Sequence, residues 1–178
     1  MGLFNRSAKP ETIEKNIDSE TPIVTSAPES TINTGAINIT RIDYETGYYL
    51  GPVDEQGIEH GMGTVYDLKD KLSYQGPFVH GKRTGRCRMY ADGKLTYEGM
   101  CINGCMCGRG KLHFDKYVLM GDFITDGICN RGKIRYNDGS CYIGTLENGL
   151  KNGIGREYDA QGNLIFEGKY CNGSRVKE

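Results

Sequence analysis

From residue 48 onward, apolar and polar residues alternate in short runs, and each run is cut by a turn that contains glycine. Tyr49-Leu50-Gly51, Tyr74-Gln75-Gly76, Tyr97-Glu98-Gly99, Leu119-Met120-Gly121, Tyr142-Ile143-Gly144 and Phe166-Glu167-Gly168 each put a large apolar side chain two places before a glycine. Those glycines follow one another at 25, 23, 22, 23 and 24 residues. Nine and eleven residues past the anchor glycine come two more small positions: Gly85/Cys87, Gly108/Gly110, Asn130/Gly132 and Gly153/Gly155. The first unit reaches Gly61/Gly63 after one inserted residue. Each unit is also cut twice by turn dipeptides. His80-Gly81, Asn103-Gly104, Asn148-Gly149 and Asn172-Gly173 follow the anchor, and Asp92-Gly93, Asp138-Gly139 and Gln161-Gly162 end the unit. Asn and Asp tolerate positive φ and glycine adopts it freely, so these pairs are hairpin signals. Alternation of period two between turns that close together predicts strand–turn–strand–turn and leaves no room for helices. The expected fold is all-β: an elongated, single-layer antiparallel meander of stacked β-hairpins, roughly 50 Å long at ~4.8 Å per strand.

Hairpin register follows from the turn centres. With Asn103-Gly104 at a turn, Gly99 faces Gly108 and Tyr97 faces Gly110. With Asn148-Gly149, Gly144 faces Gly153 and Tyr142 faces Gly155. The tyrosine ring is then expected to lie over the cross-strand glycine, as when an aromatic covers a bare strand position. Gly76 and Gly85 take the same structural places in their own unit. Alternation also sorts the faces. One collects Tyr74, Tyr97, Leu119, Tyr142 and Phe166, then Phe78, Cys101, Phe123, Leu146 and Tyr170, with Met89, Leu112 and Ile134. The other collects Arg86, Arg88, Arg109, Lys111, Arg131, Lys133, Arg135 and Arg156, against Glu98, Asp122, Glu147 and Glu167.

Composition changes the picture at three points. Glycine supplies 26 of 178 residues, about twice the usual ~7%, while proline supplies 5, which fits turns and bare strand positions rather than collagen or a Pro-rich linker. Lys and Arg total 22 against 23 Asp and Glu, so nothing global steers the chain toward nucleic acid, and the basic ladder is a local feature. Residues 1–40 carry Pro10, Pro22 and Pro28, many Ser, Thr and Glu, no Tyr and one Phe, and read as a low-complexity arm before a repeat domain at 41–178. Ile37, Ile39 and Ile42 are candidates for a capping strand. Seven cysteines, with neither a signal-peptide run nor a membrane-spanning stretch, suggest free thiols in a reducing, cytoplasmic setting. Met1-Gly2 departs from a myristoylation pattern, because Arg6 stands where Ser or Thr is wanted.

Units such as Tyr97–Phe114 and Tyr142–Gly162 resemble MORN repeats, whose pattern is Y-x-G-x-x-x-x-G-x-x-x-G-x-G. The resemblance spans about residues 48–173, five units and a partial sixth, and departs at the first-unit insertion, at Cys87, and at Leu119 with Asn130. It implies a hairpin-repeat fold and a role in protein scaffolding or at membranes and phosphoinositides. Catalysis finds no support: His60, His80 and His113 fall at different places in three units, and no helix follows any Gly-x-Gly to cradle phosphate. No catalytic residue, cofactor or metal is expected. Cys101, Cys105 and Cys107 are read as small apolar thiols on the Phe78/Phe123 side rather than as metal ligands. The expected function is a scaffold or adaptor. It would hold a protein partner, or a second copy, along an exposed groove of Phe78, Tyr97, Phe123, Leu146 and Tyr170, since a long apolar stripe needs a cover. The alternative is a tether that binds anionic headgroups through Arg86, Arg88, Arg109, Lys111, Arg131, Lys133 and Arg156, at the cytoskeleton or the inner face of a membrane.

Overall fold

A computed structural model describes residues 32–34, 37–125 and 127–177. Most of the arm and the Met1-Gly2 terminus lie outside them. Every element among the described residues is a strand, and strand order follows the sequence, so the chain is an antiparallel meander of hairpins. It forms two compact units. In the first, β1 (Ile32–Thr34) pairs with β2 (Ile37–Tyr44). The meander continues through β3 (Gly47–Gly51), β4 (Gly61–Asp67), β5 (Leu72–Val79), the short β6 (Lys82–Arg83), β7 (Gly85–Ala91) and β8 (Lys94–Ile102). The second holds β9 (Cys105–His113), β10 (Tyr117–Thr125), β11 (Ile128–Tyr136), β12 (Cys141–Glu147), β13 (Leu150–Tyr158), β14 (Leu164–Cys171) and β15 (Ser174–Arg175). β2 begins at Ile37, inside the stretch assigned to the arm, and Ile42 pairs with Tyr49 of the first repeat.

The turn dipeptides have the geometry their sequences require. His80, Asp92, Asn103, Asn148 and Asn172 sit at φ of 47–51°, each followed by a glycine at φ of 75–86°. Positive φ at both central residues marks the type I′ turn, whose twist matches that of the flanking strands. Register beyond the turn differs from the sequence-based expectation. Next to Asn148-Gly149, Glu147 pairs with Leu150 and Leu146 with Lys151, as the turn centre dictates. A bulge follows, and from there Gly144 faces Gly155 and Tyr142 faces Glu157, rather than Gly153 and Gly155. Two extra residues on β13 are accommodated there, around Gly153, whose φ of 73° belongs to the left-handed region that L side chains rarely adopt. Gly61, Gly85 and Gly108 have the same sign of φ at the same place in their units. Where the first small position is glycine it thus takes the left-handed conformation, and where the second is glycine it stands bare on the strand.

In the second unit the bare positions line up. Gly110, Gly121, Gly132, Gly144, Gly155 and Gly168 pair in succession across β9 to β14, a glycine row running straight through the sheet. The first unit pairs Gly63 with Gly76, and Cys87 with Gly99. The anchor tyrosine occupies the space left bare. A Cβ on either Gly144 or Gly155 would run into the Tyr142 ring; one on Gly51 or Gly63 would run into Tyr49, and one on Gly76 would come within 2.7 Å of the Tyr74 hydroxyl. Each ring lies across the glycine of its own strand and reaches the backbone beyond it. Tyr49, Tyr74, Tyr97 and Tyr142 donate their hydroxyls to the carbonyls of Pro52, Pro77, Met100 and Thr145, three residues on, at 2.7–3.1 Å. Burying the ring thus satisfies its polar end as well.

Candidate functional site

The five residues of the expected docking groove are already covered. Phe78, Tyr97, Phe123, Leu146 and Tyr170 are all buried, none more than 4% exposed. The reason is the bare row. Rings from one side of it meet rings from the other edge-on over the glycines: Tyr49 and Tyr74 on Phe78 at 5.0 and 5.2 Å, and Tyr142 and Phe166 on Tyr170 at 5.1 and 5.3 Å. Such T-shaped pairs are favourable geometry for aromatic quadrupoles. Each unit thereby forms a core from one layer of sheet, and the stripe expected to need an outside partner is the hydrophobic core itself. Cysteine placement is also corrected. Met106 takes the buried position, while Cys105 and Cys107 are half-buried; Cys101 is buried as expected.

The opposite face is open. In the second unit Arg109, Lys111, Arg131, Lys133, Arg135, Arg156 and Lys169 are all exposed. Pairing fixes their pattern. Lys111, Met120, Lys133, Ile143, Arg156 and Glu167 follow one another strand by strand, so cations two strands apart repeat at ~10 Å. Ile154, 64% exposed, pairs with Lys169, and Ile165, 53% exposed, lies on the same side. Aliphatic and cationic side chains therefore interleave. Carboxylates are fewer: Asp122 approaches Arg109 at 3.8 Å, Glu167 binds Arg156 at 2.8 Å, and Glu147 bonds Asn152. Arg131, Lys133 and Arg135 have no ion-pair partner among the described residues. In the first unit Arg86 and Arg88 are exposed on the corresponding face, Arg88 near Glu98 at 3.9 Å and Arg86 paired with the exposed Met100.

Two clusters escape sequence reasoning. Lys151 is only 3% exposed, with its ammonium 5.1–5.7 Å from the centroids of Tyr136, Tyr142 and Tyr170 and bonded to Glu157. Arg175 Nε donates to the other oxygen of Glu157 at 2.9 Å. Burial pushes the Glu157 carboxyl up, but the two cations outweigh it and hold it below the usual carboxylate range. The second cluster is Asp54, His60 and His80. Asp54 Oδ1 accepts the backbone N–H groups of Gln56 and Ile58 at 3.0 and 2.9 Å, leaving Oδ2 to meet His80 Nδ1 at 2.7 Å. The Ile58 bond, with His80 and Gln56 adding to it, holds the Asp54 carboxyl below its ordinary range. The His60 and His80 rings stand 5.1 Å apart. The sequence signals were the inserted residue in the first unit and a histidine where other turns carry asparagine. No protein-family model matches the chain, and no curated protein matches it.

Proposed function

We propose that this chain is a non-catalytic, MORN-like binding module that docks on anionic surfaces through the open face of its repeats, acting as a peripheral tether at phospholipid headgroups. The observation that carries this reading is the interleaving of Lys111, Lys133, Arg135 and Arg156 with exposed Ile143, Ile154 and Ile165 on one face of the second unit. Cations near an anionic leaflet contribute about 1 kcal/mol each, and isoleucines between them add contact with the acyl boundary. A scaffold that holds a protein along the aromatic stripe loses support, because that stripe is the core. The glycines at turns, at bulges and under the tyrosine rings have a backbone or packing reason that needs no ligand.

Co-sedimentation with vesicles of phosphatidylserine and phosphatidylcholine tests the proposal. Binding is expected to the mixed vesicles and not to pure phosphatidylcholine, with loss in the triple variant Arg131→Glu, Lys133→Glu, Arg135→Glu. No binding by the wild-type chain at low salt overturns the tether and leaves an acidic protein as the remaining partner for the same face.

A further inference from the structure

We propose that Asp54, His60 and His80 form a binding site for a divalent transition-metal ion of the zinc class. One donor atom from each of the three lies within 4.8 Å of the other two. Two imidazoles and a carboxylate make a borderline ligand set suited to Zn²⁺ and its neighbours, and unsuited to Ca²⁺ or Mg²⁺, which want oxygen alone. Zn–N and Zn–O bonds of ~2.0–2.2 Å separate tetrahedral ligands by about 3.3 Å. An ion at this place therefore replaces the proton between His80 Nδ1 and Asp54 Oδ2, now 2.7 Å apart, and moves the two atoms apart by a fraction of an ångström.

The site is built rather than incidental. Asp54 is fixed by the two N–H bonds to its other oxygen, by Asp54 N–H to the Ile58 carbonyl at 2.8 Å, and by a bridge between Val53 and Glu59. This is the outer-shell bonding that ligating carboxylates require. His60 is held by its N–H to the Pro52 carbonyl at 3.0 Å, and the His80 turn by Gly81 N–H to the Glu59 carbonyl at 2.9 Å. The Asp54 side chain is 10% exposed and that of His80 is 66% exposed, so the donors face an open side where water completes the coordination.

The internal repeats give independent support. Asn103, Asn148 and Asn172 occupy the left-handed turn position that His80 occupies, at φ of 47–51°. Asn holds that position in the other three turns, so histidine there is a departure from the repeat's own pattern. The repeat that precedes His80 is the one with an inserted residue, and its 52–60 segment carries Asp54 and His60. Two departures from the repeat thus meet at one point in space. Local rules broken together are where function is expected.

The test uses the full chain, stripped with chelator and titrated with ZnCl₂ and then CoCl₂. One ion per chain is expected. Asp54→Asn, His60→Gln and His80→Asn should each weaken binding by about tenfold or more. His80→Asn places in the turn the residue its counterparts use, so folding is retained and checked by circular dichroism. The cobalt form should show visible d–d bands without thiolate charge-transfer bands. Failure of the wild-type chain to bind either ion at millimolar concentration overturns the proposal. So does affinity unchanged in two of the three variants, or thiolate bands that place the ion on cysteines.

Discussion

At the residue scale, the anchor tyrosine and its glycine act as one device. The ring needs a bare position on its own strand and another across from it, and its hydroxyl needs the carbonyl three residues on; Tyr142 has all three in Gly144, Gly155 and Thr145. Removing only the hydroxyl, in Tyr142→Phe, should cost about 1 kcal/mol by urea denaturation, because the Thr145 carbonyl loses its partner. Tyr142→Ala should cost about 3–5 kcal/mol, since it opens the core. Equal costs would mean that the ring contributes nothing beyond its hydroxyl. Glu157 is the second residue on which much depends. Its folded carboxyl is held below the usual range, so the stability it adds is fully present above the unfolded value of ~4.3 and drains away as pH falls through the lower folded value. Glu157→Gln strands the buried Lys151 and should lose about 3 kcal/mol at neutral pH. Its stability should also decline less steeply toward acid than that of the wild type; parallel curves from pH 7 to pH 3 would show that the trio is not the titrating element.

At the element scale, the hairpins show what a sequence can and cannot convey. Strand faces were legible, because alternation of period two placed Tyr97, Phe123 and Ile134 inside and Arg109, Lys133 and Arg156 outside, as found. Turn type was legible too, since Asn148-Gly149 can hardly form anything but the turn it forms. Register was legible for only two pairs beyond that turn. The bulge puts two extra residues on one strand, which keeps the faces and moves the partners, and nothing in the pattern says whether a glycine is bare or bulged; φ at Gly153 decides it. The open groove was misread for a different reason. Alternation reports which side is apolar, but not that a glycine row lets the two halves of that side close on each other. Lys151 and the Asp54 cluster were hidden because their partners come from separate strands or loops. The bulge gives a direct test. Gly153→Ala forces a side chain into the left-handed region and toward Thr145, and should cost about 1–2 kcal/mol, whereas Gly153→Asn should recover part of that loss. If alanine and asparagine behave alike, the backbone at 153 is not the constraint.

At the scale of the whole molecule, net charge conceals the feature on which the proposed function rests. The formal charge is −1, so on average the chain should be repelled slightly by an anionic membrane. Binding must then come from where the charges lie. Arg131, Lys133 and Arg135 project from β11 on the open face, whereas Lys69, Lys82 and Lys116 are exposed cations outside β11, at or beside turns. Reversing either set to glutamate changes the net charge equally. If the face is the binding element, the β11 set should abolish co-sedimentation with phosphatidylserine vesicles, while the turn set should leave most of it. Salt sharpens the contrast. Screening shortens to ~8 Å at physiological ionic strength, close to the ~10 Å spacing of the cations, so wild-type binding should fall steeply between low and physiological salt without vanishing. The exposed isoleucines hold what remains, and Ile143→Ser with Ile154→Ser should remove the part that resists salt while sparing the part that does not. Equal loss in both charge-reversal sets would show that the chain responds to anionic vesicles through its overall charge alone, and the open face would lose its claim to be the docking surface.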